Sequence, residues 1–122
     1  MNTSRITRDF ADRFADEWIA AWNAHDLPRV LSHYEDDFEM ASPLIVEIAG
    51  EPSGVLRGKE KVGPYWEKAL QRAPDLHFEK LGVFVGARSW AIHYLNQKGR
   101  LSVENFEFSD RGLVTRAAAH HG

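Results

Sequence analysis

The chain opens with a four-residue beat. Phe10, Phe14, Trp18 and Trp22 recur at helical spacing, Ala11, Ala15 and Ala21 lie beside them, and Asp9, Asp12, Arg13, Asp16 and Glu17 take the wetter side. That stripe predicts an amphipathic helix over residues 7–23. Asp26 is placed to cap a second, short helix, with Pro28 in its first turn and Leu27, Val30, Leu31 and Tyr34 as its apolar side. Phe38 to Ser42 reads as a strand that Pro43 ends. Residues 44–58, with Gly50, Gly54 and Gly58, read as an irregular loop with room for a short strand at Ile45–Ile48. Val62, Tyr65, Trp66, Ala69, Leu70 and Ala73 restore the helical period and predict a third helix over residues 59–73. Pro64 distorts its first turn and Pro74 stops it.

From there the period changes to two. Four strands are predicted over residues 76–85, 88–97, 101–109 and 113–121, with Gly86-Ala87, Lys98-Gly99 and Asp110-Arg-Gly112 as the turns between them. Helices followed by an antiparallel meander make an α+β layout, three helices on one face of a curved sheet. At 122 residues the chain is expected to be one domain, 1–122, with one core.

Within the third strand of the meander, Glu104 shares a face with Phe106 and Phe108. If that face lines the interior, the carboxyl must be paired, hydrogen-bonded, or held neutral by a raised pKa. The structural alternative is an ion pair with Arg88 or Arg116 on a neighbouring strand. A second alternative is the opposite face, which Leu101 and Val103 also make partly apolar. The phase of the last strand stays open: Ala117, Ala119 and His121 face inward, or Val114, Arg116 and His120 do.

Aromatic rings with polar tips are abundant: four tryptophans and three tyrosines. Trp18, Trp22 and Trp66 sit on helix stripes, and Trp90 and Tyr94 share a strand face. Such rings line small-molecule pockets, although each alone is ordinary core packing. Every buried indole also needs a partner for its N–H.

Composition narrows the chemistry. Charged residues are 27% of the chain and the net charge is -3, without a basic run interleaved with aromatics, so nucleic acid is not an expected partner. The absence of cysteine excludes disulfides, thiol catalysis and zinc–thiolate sites and fits a cytoplasmic location. No apolar stretch reaches the roughly 18 residues of a membrane span, and Met1 to Arg5 lack the apolar core of a signal peptide. The six histidines lack metal-ligand spacing, so neither a metal nor another cofactor is expected. Ser42 has no nucleophile-elbow motif around it, and Gly54 to Gly58 is not a phosphate loop.

Several strings together resemble a known superfamily: Trp22-Asn-Ala-His-Asp-Leu27, Tyr34-Glu-Asp-Asp-Phe38, Leu56-Arg-Gly-Lys-Glu60 leading to Tyr65-Trp66, and Phe106-Glu-Phe108 before the last turn. They resemble the cone-shaped, nuclear transport factor 2-like fold in its SnoaL-like branch of small bacterial proteins, over nearly the whole chain. That superfamily holds ketosteroid isomerases, polyketide cyclases, an epoxide hydrolase, dehydratases and members without catalysis. The resemblance implies a deep pocket between sheet and helices. It places Glu104 where the isomerases carry a protonated acid, Trp18 at their oxyanion-hole tyrosine, and Ser42 at their catalytic base. Serine cannot take a carbon-bound proton unaided, so ordinary ketosteroid isomerase activity is not expected. The base is left among His93, Glu47 and a C-terminal histidine.

The expectation is therefore a pocket for a small apolar, carbonyl-containing molecule, with Glu104 and Trp18 as hydrogen-bond donors. Trp22, Tyr34, Met40, Ser42, Trp66, Trp90, Tyr94, Phe106, Phe108 and His121 would line it. Any chemistry is cofactor-free acid–base work of isomerase, cyclase or hydratase–hydrolase class; the alternative is a non-catalytic ligand-binding or dimerisation module. The resemblance also implies a homodimer through the outer sheet face, at Val83, Val85 and Ile92 or Leu95.

Overall fold

The computed structural model describes residues 7–122; Met1 to Arg5, discussed above for targeting, lie outside the described residues. Thr7 caps the first helix, α1 (Arg8–Asn23), by accepting from the Phe10 amide, and Ala11, Phe14, Ala15, Trp18, Ala21 and Trp22 are its buried side. The chain turns at His25, a non-glycine residue at φ 56. Asp26 then caps the short α2 (Leu27–Leu31) by accepting from Arg29 N at 3.2 Å.

Tyr34 is not part of α2. It opens strand β1 (Tyr34–Ala41), which begins four residues before the predicted start at Phe38. The segment read as a loop contains a helix, α3 (Pro43–Ala49), and a three-residue strand, β2 (Val55–Arg57). Ser42 caps α3 by accepting from Leu44 N at 3.1 Å, and Pro43 stands in the first turn where its missing N–H is not needed. So Ile45–Ile48 is helical, not a strand. The fourth helix, α4 (Lys59–Arg72), runs through Pro64 without a break and ends against Pro74.

Strands β3 (Glu79–Val85), β4 (Ser89–Leu95), β5 (Leu101–Phe108) and β6 (Val114–His121) complete one six-stranded sheet in the order β2-β1-β6-β5-β4-β3. All neighbours are antiparallel except β1 and β6. Register irregularities at Tyr34/Glu39, Lys80/Gly82 and Glu107/Phe108 bend the strands, as bulges do. The result is a curved, unclosed sheet with helices packed in its concavity, an α+β cone. Asn23 fastens α1 to the segment before β3, donating to Phe78 O at 3.0 Å and accepting from Phe78 N at 2.7 Å.

Three rungs run across the inner face of the sheet. Trp90, Phe106 and Ala117 form the first; Ile92, Glu104 and Ala119 the second; Tyr94, Ser102 and His121 the third. The phase of the last strand is thus Ala117, Ala119, His121, with Arg116 and His120 outward. Val114 is nevertheless fully buried, because the irregularity beside Phe108 resets the alternation. Val83 points inward and is buried, correcting its expected place on the outer face, and of the alternatives Ile92 and Leu95 it is Leu95 that faces outward while Ile92 is buried. Phe84, at 61% exposure, and Leu101, at 48%, occupy that face instead. No helix among the described residues is long and apolar enough to cross a membrane.

Candidate functional site

The first rung is solid. Trp90 stacks on Phe106 with ring centroids 4.7 Å apart, Phe108 continues the stack, and Phe14 meets all three rings. Phe10 packs edge-on against Phe108. These rings plug the narrow end of the cone. Trp90, Phe106 and Phe108, expected as pocket lining, are therefore core residues outside the cavity wall. Their alternation gave the correct face but not the depth along it.

Above the plug, on the next rung, the β6 side chain is the small Ala119, and space opens. A cavity of about 560 Å³ lies between the sheet, α1, α3 and α4, within the usual size of small-molecule sites. Of the expected residues, Trp18, Trp22, Met40, Ser42, Trp66, Tyr94, Glu104 and His121 line it. Tyr34 does not: its ring is buried against Phe38 and Trp66. Of the candidate bases, Glu47 and His121 are in the wall. His93 is on the opposite face of the sheet, paired with Gly82 and Val103. His120 faces outward toward Asn105.

Glu104 is a buried carboxyl, 4% exposed on the rung between Ile92 and Ala119. Tyr94 donates its hydroxyl proton to Glu104 Oε1 at 3.2 Å. Among the described residues no cation pairs with it. Arg116 instead pairs with Glu39 at 3.4 Å, and among the described residues Arg88 is in no ion pair. Burial pushes the Glu104 carboxyl up from 4.5 to about 7, against a smaller downward pull from Tyr94. A substantial neutral fraction is thus present near neutral pH.

The surrounding hydroxyls are poor acids. Burial, then the charge of Glu104, raises Tyr94 well above its ordinary value. Burial raises Tyr65, another wall residue, to about 12. Higher in the wall, Ser102 Oγ and His121 Nδ1 share a hydrogen bond at 2.8 Å. His121 is exposed at the rim; partial desolvation of its ring, then the charges of His120 and Arg100, lowers its pKa, which favours the neutral form.

Trp18 differs from expectation. Its indole N–H donates to the Tyr34 hydroxyl at 2.9 Å and is not free to serve a ligand as second donor. Nor do all indoles find partners: Trp22 Nε1 and Trp90 Nε1 are sealed without one. Each such group carries a desolvation penalty of about 1–3 kcal/mol. The wall residues that sequence reasoning missed include Leu44 and Ile48 from α3, Tyr65, Phe78 and Ser102, and the cations Arg72, Lys98 and Arg100. The Ser42–Pro43 helix start was the available signal for the first two. Ser102 has the same parity as Glu104.

The SnoaL-like domain family matches residues 15–121. A SnoaL-like protein of unknown function from Burkholderia thailandensis is 58% identical, with 97% of this chain and 98% of that one covered and a TM-score of 0.93. AclR, a candidate hydroxylase from Streptomyces galilaeus, shares the fold at 19% identity and TM-score 0.73, covering 95% and 91% of the two chains. A candidate ketosteroid isomerase from Kribbella flavida does so at 16% and 0.70, covering 93% and 78%. No curated protein matches the chain. With that match over most of its length, and a cone-shaped sheet around a single buried acid, the chain belongs to the SnoaL-like family.

Proposed function

We propose that this protein binds a small apolar molecule carrying a carbonyl group, and that Glu104 in its neutral form donates a hydrogen bond to the carbonyl oxygen. The observation that carries the reading is a carboxyl buried in an aromatic-walled cavity with a tyrosine, and no cation, for a partner. An acid held neutral in a dry site donates where negative charge develops on oxygen; ketosteroid isomerase is the worked precedent for this use of a carboxyl. Tyr94, bonded to Oε1, orients the group.

The chemistry that fits is cofactor-free proton transfer of isomerase, cyclase or hydratase class. His121 is the base we favour, since Ser102 fixes its ring and its pKa favours the neutral form. It stands two residues beyond the Glu104 rung, about 7 Å along the sheet. A proton leaving the carbon beside the carbonyl would pass to His121, while Glu104 holds the enolate oxygen.

Ser42 supports the second reading, a binding or dimerisation module without turnover. By the family resemblance it takes the position of the isomerases' base, and its hydroxyl is occupied in capping α3. A panel of enones, epoxides and diketones separates the two readings. Turnover that Glu104→Gln and His121→Ala abolish supports the enzyme; binding without turnover removes it. We also propose a homodimer through the outer sheet face that carries Phe84 and Leu101.

A further inference from the structure

The mouth of the cavity is charged in a way the chain as a whole is not. Arg72, Lys98 and Arg100 all stand in its wall, although the protein carries a net charge of -3. Among the described residues none of the three is in an ion pair. The only other charged side chains in the wall are Glu47 and Glu104, the latter deep and partly neutral.

The main chain that carries two of the cations is fixed by a closed turn. Asn96 Oδ1 accepts from both Lys98 N and Arg100 N at 2.9 Å, Gly99 N donates to Asn96 O at 3.0 Å, and Asn96 N donates to Arg100 O at 2.9 Å. Gly99, at φ 76, supplies the left-handed residue this closed turn needs. Arg72 comes from the opposite wall, in the last turn of α4. A ligand head at the mouth would thus meet cations from both sides. Arg100 immediately precedes β5 and lies four residues before Glu104, so at most about 13 Å of backbone separates the two positions.

We propose that the ligand is an amphipathic carboxylic acid: its carboxylate held at the mouth by Arg72, Lys98 and Arg100, its apolar body on the indoles, and its carbonyl at Glu104. This rests on the pocket reading above and names the substrate class for it. Guanidinium groups suit the head because their N–H forks match a carboxylate in two parallel bonds. The charged end would stay partly wet, so the cations select and orient the ligand more than they hold it. The apolar wall supplies the affinity.

The test compares three probes of one shape, 2-naphthylacetate, 2-naphthylacetamide and the neutral ketone 2-acetylnaphthalene, titrated by calorimetry at low and at 0.5 M salt. The acid is expected to bind about tenfold more tightly than the amide at low salt, and most of that preference to vanish at 0.5 M. The triple variant R72Q/K98Q/R100Q, altered only at exposed positions, should bind acid and amide equally and the ketone as before. Equal binding of acid and amide by the native protein overturns the inference, as does a preference that survives in the triple variant. If the ketone still binds, and weakens in Glu104→Gln, the pocket reading stands while the carboxylate inference falls. If no probe binds, both fall.

Discussion

Trp18 donates its indole N–H to the hydroxyl of Tyr34 at 2.9 Å, joining α1 to β1 inside the core. The bond commits the group that the family resemblance would offer to a ligand, and the proposed function therefore rests on Glu104 as the donor. Tyr34 feels that neighbour: burial, and then the charge of Glu104, raises its pKa well above the ordinary value.

Tyr34→Phe would leave the Trp18 N–H buried without an acceptor, and we expect it to cost about 1–3 kcal/mol. Trp18→Phe removes the donor together with part of a large ring, and should cost at least as much. A double-mutant cycle by urea unfolding is expected to return a coupling of about 1 kcal/mol. Strict additivity would mean that the bond contributes nothing.

Stability should depend on the charge of Glu104. Its carboxyl titrates at about 7 in the folded protein against 4.5 ordinarily. Below pH 4.5 it is neutral whether folded or unfolded, so the stability tied to the neutral group is fully present. As pH rises the unfolded chain ionises first, and that stability is lost through pH 7. The loss is on the order of 3 kcal/mol between pH 4.5 and 8. Unfolding free energies of native protein and Glu104→Gln, measured across this range, should diverge by that amount. Parallel profiles contradict the account. Glu17, bonded by Arg29, is held down at about 2 and has the opposite sign. Its side chain is 38% exposed, so Arg29→Ala should cost no more than about 1 kcal/mol.

The aromatic plug is expected to act on stability and not on recognition. Phe106→Ala should cost about 3–5 kcal/mol, since a fully buried ring leaves a cavity in a packed layer. Trp90→Phe should cost less, because it also removes an N–H that has no partner. A ketone ligand is expected to bind Trp90→Phe with native affinity in calorimetry; a tenfold loss would put Trp90 in the site.

Phe84 is 61% exposed on the outer face of β3. Phe84→Asp should convert a dimer to a monomer in light scattering with intrinsic tryptophan fluorescence unchanged. A native protein that is already monomeric at micromolar concentration contradicts the proposed pairing.

The sequence made the helix stripes and the inward face of β5 legible because both are local periodicities. α1 follows the Phe10–Trp22 stripe, and Glu104 follows from its parity with Phe106. What stayed hidden is set at long range. The bulge at Lys80/Gly82 reverses the phase of β3, so Phe84 and not Val83 faces outward. Whether an inward ring fills the plug or lines the cavity depends on its level along the sheet relative to Ala119, which no spacing within β4 or β5 reports. α3 was misread for another reason: Ser42 and Pro43 are a strand ending and a helix start at once.

The most direct test of the central claim is the pKa of Glu104, from carbon-13 NMR titration with Glu104→Gln for assignment. The account predicts a carboxyl titrating near 7 in the unliganded protein. A value at or below the ordinary 4.5 would mean a solvated or cation-paired carboxylate. It would contradict the neutral donor on which the proposed function depends.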